Sequence, residues 1–157
     1  MHDASEFLAS FWLGNLPVDP FRLARLNGVR VVDAKFPNGS ISGALLKEFG
    51  KRPRALLNIR DAPTHRRFTL AHELGHFVWN GDAEGEYERV DYRDHLSSTG
   101  RYIEEIYANT FAACVLMPEP HVRAMHEEGT FDWEMAERFG VSVEAIRFRL
   151  SDLGLSL

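Results

Sequence analysis

The alternation of apolar and polar positions predicts a small sheet set between helical segments. Three β-prone runs, at residues 29–34, 41–46 and 54–59, are separated by turn signals at residues 37–39 and 50–53. Helical periodicity precedes these runs and fills most of the chain after them. The pattern therefore predicts an α+β fold, in which a sheet of about three strands packs on helices and the C-terminal half is mostly helical.

Capping residues and helix breakers set the expected helix boundaries. Caps are expected at Asp3, Asp19, Thr64 and Ser142. Helices after the sheet are expected at residues 65–79, 101–117 and 119–157, the last as three short segments. We expect residues 1–128 to form the core of the molecule. Residues 129–157 are expected to form a small helical subdomain packed on that core, with the spacing of a helix-turn-helix.

Composition and charge limit the classes of function. The chain has 157 residues, 45% of them hydrophobic and 26% charged, which is typical of one soluble globular domain. Its net charge of −5 argues against a protein that binds nucleic acid over a broad surface. Residues 51–67 are basic and residues 82–94 are acidic, and both runs are expected to be solvated. Because no apolar run is long enough to span a membrane and Cys114 is the single cysteine, we expect a cytoplasmic protein.

Residues 72–76 (HELGH) form the pattern H-E-x-x-H inside the predicted 65–79 helix. At about 100° per residue, His72 and His76 lie about 40° apart on one helical face, so both imidazoles can reach one cation. Glu73 lies on the same flank, where it can take a proton from a metal-bound water. Two satisfied histidines in an ordinary helix are the alternative, but burying three ionisable groups together is costly unless they are paired or bind a metal.

A catalytic zinc needs a third protein ligand and an open position, and adjacent glutamates on the next helix are the candidates. The helical stripe that continues from Glu105 carries only small side chains, whereas the stripe from Glu104 carries two aromatic ones. Small residues, together with Gly75 on the first helix, allow two helices to cross closely. Glu105 is therefore predicted to reach the metal and Glu104 to turn away. Asn109 is expected either to hydrogen-bond a ligating imidazole or only to fill the helix contact.

Two segments closely resemble the ImmA/IrrE family of metallopeptidases. Residues 67–76 (RFTLAHELGH) and 105–118 (EIYANTFAACVLMP) follow the family pattern R-F-T-x-A-H-E-x-G-H and E-x-x-A-N-x-F-A-A-x-L-L-M-P, except that Val115 stands in place of a leucine. The resemblance covers roughly residues 18–154. It implies a zincin-like fold and assigns the family's site residues by position. These are the metal ligands His72, His76 and Glu105 and the general base Glu73.

The resemblance also implies a protein substrate, since members typically cut a helix-turn-helix repressor encoded beside them. Two imidazoles and a carboxylate favour Zn²⁺, although Mn²⁺ or Fe²⁺ can occupy the same ligands. A donor for the oxyanion formed during cleavage is expected. The candidates are His95, Tyr102 and Tyr107. The β-prone run at residues 54–59 is expected to receive an extended substrate as an added strand.

Two other functions stay open at this point. Residues 136–149 have helix-turn-helix spacing, and Arg147 and Arg149 lie on the would-be recognition helix, which suggests DNA binding. Residues 131–157, however, hold five acids and three arginines, a net charge of −2, so phosphate binding has little driving force. A metal site that only sequesters or signals is the second alternative. Glu73 argues against it, because a purely structural site has no use for a carboxylate beside the water.

Overall fold

The computed structural model describes residues 2–37, 39–81, 85–92 and 102–156. The elements in chain order are α1 (His2–Phe11), α2 (Pro20–Leu26), β1 (Arg30–Ala34), β2 (Ile41–Lys47), β3 (Arg54–Asn58), α3 (Pro63–Asn80), β4 (Tyr87–Tyr92), α4 (Tyr102–Leu116), α5 (Glu119–Glu127), α6 (Asp132–Phe139) and α7 (Val143–Asp152). One small sheet with most of the helices after it confirms the predicted α+β class. Among the described residues, no helix combines the length and the apolar character needed to cross a membrane.

The four strands form one sheet in the order β1-β3-β2-β4. The three predicted runs form β1, β2 and β3, with β3 parallel to β1 and antiparallel to β2. The prediction that residues 54–59 receive an added strand is wrong, because β3 already has a partner on each side. In the described part of the chain, the sheet edges are β1 and β4.

The fourth strand falls in the acidic run at residues 82–94, where the charge pattern predicts a solvated segment. Tyr87 and Arg89 are half-buried while Glu88 between them is exposed. This alternation is that of a strand with one face against the protein. β4 pairs antiparallel with β2 and so extends the sheet beyond the predicted three strands.

Two of the predicted helix caps form. Asp19 caps α2 by accepting hydrogen bonds from two backbone N–H groups, at 2.9 and 3.2 Å. Ser142 caps α7 through one bond of 3.1 Å. Thr64 is not a cap, because α3 begins at Pro63 and Thr64 is already its second residue. Asp3 is not a cap either, because it lies within α1. Proline suits a first helical position because it has no N–H to leave unbonded.

Helices α3 and α4 approach each other closely at Gly75. A Cβ atom on Gly75 would lie 2.8 Å from the Cα atom of Ala108 and 3.2 Å from the Cβ atom of Phe111. A side chain there would collide with the backbone of α4, so only glycine permits this separation. The predicted close crossing is confirmed, and it brings α4 against the HELGH turn of α3.

Two clusters of buried apolar side chains hold α3 and α4 from different sides. One cluster joins them to the sheet and to α1 and α2, and it includes Leu57 and Leu74. The other joins them to α5, α6 and α7, and it includes Ala112 and Ile146. The two helices that carry the predicted site are therefore fixed by both clusters.

The division of the chain into a core at residues 1–128 and a helical subdomain at residues 129–157 stays a prediction.

The basic run at residues 51–67 is not solvated throughout. Arg67 donates hydrogen bonds to the backbone oxygen of Gly140 at 3.0 Å and to that of Val18 at 2.5 Å. Burial lowers the pKa of Arg67, although a guanidinium keeps its charge at neutral pH. Arg67 thus ties α3 to the turn before α7, which is a structural role.

Candidate metal centre

Three side chains from α3 and α4 converge on one point. The Nε2 atoms of His72 and His76 lie 3.0 Å apart. The carboxylate oxygens of Glu105 lie 3.3 Å from Nε2 of His72 and 3.4 Å from Nε2 of His76. Both imidazoles are buried, whereas the Glu105 side chain is 17% exposed. Of the three side chains, that of Glu105 has the largest exposed fraction.

The separations fit a tetrahedral divalent ion. Ligand atoms about 2.0–2.1 Å from such an ion lie about 3.3–3.4 Å from one another. The two Nε2 atoms are 3.0 Å apart, and each has one Glu105 oxygen at a similar distance, Oε2 at 3.3 Å from His72 and Oε1 at 3.4 Å from His76. Two imidazole nitrogens and one carboxylate oxygen also form a donor set that catalytic zinc sites use, with a fourth position left open. The residues present therefore fit a catalytic metal ion.

Hydrogen bonds behind both histidines turn their lone pairs towards this point. Nδ1 of His72 lies 2.9 Å from Oδ1 of Asn109, and Nδ1 of His76 lies 2.9 Å from Oε1 of Glu104. Because each oxygen accepts, each Nδ1 carries a proton, and in the neutral imidazole the lone pair is then on Nε2, the atom that faces this point. A divalent cation at this point would be attracted by both lone pairs and by the Glu105 carboxylate. Of the two roles expected for Asn109, a hydrogen bond to an imidazole and a plain helix contact, the structure shows the hydrogen bond.

Glu104, predicted to turn away from the metal, is not one of the three converging side chains, but it contacts His76 from behind instead of turning away from the site altogether. Its carboxylate is buried and accepts hydrogen bonds from His76 and, at 2.8 Å, from Nε of Arg89 on β4. Burial by itself raises the pKa of Glu104, but the hydrogen bonds from Arg89 and His76 outweigh it and leave the pKa below its ordinary value. Glu104 is therefore a carboxylate at neutral pH. Such a group behind a histidine fixes the ring orientation and the tautomer.

Glu73 lies between α3 and the sheet and has no exposed surface. A Cβ atom on Gly43 of β2 would lie 3.0 Å from Oε1 of Glu73 and 2.5 Å from Cγ2 of Thr69. A side chain at position 43 would overlap Thr69 and crowd the Glu73 carboxylate, so glycine lets α3 pack closely against β2 at this turn.

One of the three candidate oxyanion donors is engaged elsewhere. The hydroxyl of Tyr107 donates a hydrogen bond of 2.6 Å to Asp3, which ties α4 to α1. Burial and the Asp3 carboxylate raise the pKa of Tyr107 far above its ordinary value, so the hydroxyl keeps its proton. Tyr102 is half exposed at the start of α4 and stays a candidate. His95 lies outside the described residues.

In the helix-turn-helix-like pair of α6 and α7, both arginines of α7 are hydrogen-bonded within the protein. Arg147 donates to Asp132 at 2.7 Å. Arg149 is buried and donates to the backbone oxygen of Met117 at 3.2 Å. Both arginines of the would-be recognition helix are thus engaged within the protein, which weighs against DNA binding by this segment.

Comparison with known proteins places the chain in a family. Residues 24–151 match the model of peptidase family M78, described as the IrrE N-terminal-like domain. The radiation response metalloprotease IrrE of Deinococcus radiodurans is 34% identical over 133 residues, which cover 80% of this chain and 38% of that protein. A Mycobacterium tuberculosis transcriptional regulator, 21% identical, shares the fold with a TM-score of 0.63 over 96% of this chain and 47% of its own. The chain thus spans less than half the length of either relative. It belongs to the IrrE N-terminal-like M78 family of metallopeptidases.

Proposed function

We propose that this chain is a zinc-dependent endopeptidase in which His72, His76 and Glu105 hold the metal and Glu73 is the general base. The observation that carries the proposal is the convergence of two imidazole nitrogens and a carboxylate within 3.4 Å, with each imidazole hydrogen-bonded at its Nδ1 atom. Membership of a metallopeptidase family supports the same chemistry. Zinc suits this donor set best, while Mn²⁺ and Fe²⁺ are compatible with it.

The proposed mechanism assigns a task to each group around the centre. A bound zinc ion supplies Lewis acidity, which polarises the scissile carbonyl and makes water acidic enough to react near neutral pH. Glu73 accepts the proton of the attacking water and then delivers it to the amide nitrogen as the C–N bond breaks. Glu104 and Asn109 keep the two imidazoles in one orientation throughout.

We further propose that the substrate is a helix-turn-helix transcriptional repressor and that the reaction takes place in the cytoplasm. The motifs at residues 67–76 and 105–118 support this, because they resemble a family whose members typically cut such repressors. The relative from Deinococcus radiodurans is named a radiation response metalloprotease, which fits proteolysis in a regulatory response. Cleavage of a repressor would convert a signal into gene expression without DNA contact by this chain.

The proposal is tested by incubating the purified protein with the helix-turn-helix repressor encoded next to it. With zinc present we expect a single cut, seen as two products whose masses sum to the repressor plus one water. EDTA should abolish the cut and added zinc should restore it, because the three ligands have no other way to activate water. A repressor that stays intact beside an equimolar amount of zinc-loaded protein would contradict the proposed substrate.

A further inference from the structure

A groove of about 700 Å³ runs between the first half of α3, α4 and α7, outside the metal centre. Its apolar wall is formed by Phe68, Ala113, Met117 and Phe148. Phe148 is 71% exposed, although the residues two positions before and after it on α7 are buried in the core. An exposed aromatic ring beside an apolar groove offers a surface that a bound apolar group would cover.

Asn109 connects the groove to the proposed metal centre, and His65 connects it to β2. Asn109 lines the groove, and its Oδ1 atom lies 2.9 Å from Nδ1 of His72. His65 also lines the groove, and its Nε2 atom lies 3.1 Å from Oγ of Ser42. The next residue on β2 is Gly43, which packs against the carboxylate of Glu73. A polypeptide bound in the groove would therefore lie one side chain, Asn109, away from the proposed ligand His72, whereas Glu73 lies further off, behind Ser42 and Gly43.

The charges around the groove disfavour an anionic occupant. Arg149 is 5% exposed and donates to the backbone oxygen of Met117 and, at 3.0 Å, to Asp152, so its charge is balanced within the protein. Glu144 adds a negative charge on the rim. A phosphate-bearing ligand would meet this acidic rim, whereas an apolar peptide segment would meet the apolar wall.

We propose that this groove is a specificity subsite that binds an apolar segment of the substrate polypeptide beside the scissile bond. The inference rests on the proposed peptidase function and adds to it a rule for where the enzyme cuts. The polypeptide would enter past Asn109 and His65 and place a large apolar side chain against Phe148 and Phe68. We expect a large apolar residue at one fixed position on one side of each cut.

The test compares Phe148→Ser with the matched control Phe49→Ser. Both rings are exposed, at 71% and 80%, but Phe49 lies in the turn between β2 and β3 and does not line this groove. Each zinc-loaded protein is incubated with peptides from a digested bacterial proteome, and the cut sites are read by mass spectrometry, with EDTA-treated samples as blanks. Thr110→Trp, which fills the groove from α4, serves as a second variant.

We expect wild-type protein and Phe49→Ser to share one apolar preference beside the cut. Phe148→Ser and Thr110→Trp should lose that preference while zinc content stays the same. On the best peptide, kcat/KM should fall about 10-fold, mainly through KM, since weaker apolar packing in a specificity pocket costs roughly 10–200-fold. The change in KM with unchanged zinc content distinguishes a subsite from a purely structural role.

An unchanged cleavage preference in Phe148→Ser would overturn the proposal. A wild-type dimer that becomes monomeric in Phe148→Ser would also overturn it, because the groove would then belong to a second copy of the chain. A wild-type protein that makes no EDTA-sensitive cut in any peptide or in the repressor would contradict the proposed peptidase function instead.

Discussion

Replacing Glu73 with glutamine is expected to lower kcat about 10³-fold while the protein keeps its metal, since a positioned general base contributes roughly 10²–10⁴-fold. Glutamine has nearly the same shape as glutamate and fits the space under Gly43, so the packing around position 73 is preserved. It cannot accept the proton of the attacking water. The three proposed ligands are not altered by this substitution.

The measurement combines the cleavage rate of the repressor with elemental analysis of the same sample. Glu137→Gln is the matched control, because Glu137 is exposed on α6 away from the centre, and we expect it to behave as the wild-type protein. Full activity in Glu73→Gln would refute the general-base role. Loss of both activity and zinc would show instead that Glu73 holds the metal site together.

Adjacent glutamates on α4 are expected to respond very differently to the same substitution. Glu105→Gln should lose zinc on dialysis and lose cleavage with it, because a neutral amide replaces the one anionic ligand proposed for the metal. Glu104→Gln should keep zinc with an affinity about 10–100-fold weaker, the usual cost of altering a group behind a ligating histidine. Glu104 contacts His76 through Nδ1, not through the Nε2 atom that faces the centre.

Zinc affinity is measured by competition with a chromogenic chelator, and folding is checked by circular dichroism. Glu104→Gln leaves the charge of the half-buried Arg89 partly uncompensated, so the folding control matters most for that variant. If Glu104→Gln released the metal and Glu105→Gln kept it, the assignment of the third ligand would be reversed.

Local sequence rules predict the central helix pair well. The H-E-x-x-H spacing places both histidines on one face of α3, and the stripe of small residues after Glu105 predicts the close crossing seen at Gly75. These rules work because helix geometry alone fixes which side chains share a face. The cluster of His72, His76 and Glu105 follows from that geometry once the two helices are in contact.

The groups that hold the imidazoles are harder to predict. The stripe rule separates Glu104 from Glu105 by their neighbours on α4, but a buried ligating histidine also needs a hydrogen-bond acceptor at its Nδ1 atom. That requirement would have retained Glu104 as a candidate acceptor for the Nδ1 proton of a histidine. Arg89 could not be found this way, because its strand lies in an acidic run that charge alone predicts to be solvated.

Strand order is also beyond local patterns. The sequence order of the strands suggests β3 as an edge, but β2 lies on one side of it and β1 on the other. Apolar side chains on both faces do not mark an interior strand, since β3 (RALLN) and the edge strand β1 (RVVDA) both carry them. Long-range pairing decides the order, and periodicity within one strand does not report it.

Anomalous diffraction at the zinc absorption edge, from crystals grown with zinc, tests the metal centre most directly. We expect one strong peak between α3 and α4, about 2.0–2.2 Å from Nε2 of His72, Nε2 of His76 and a carboxylate oxygen of Glu105. A zinc-loaded crystal with no peak at that point, or with zinc bound only by other residues, would contradict the assignment of this centre.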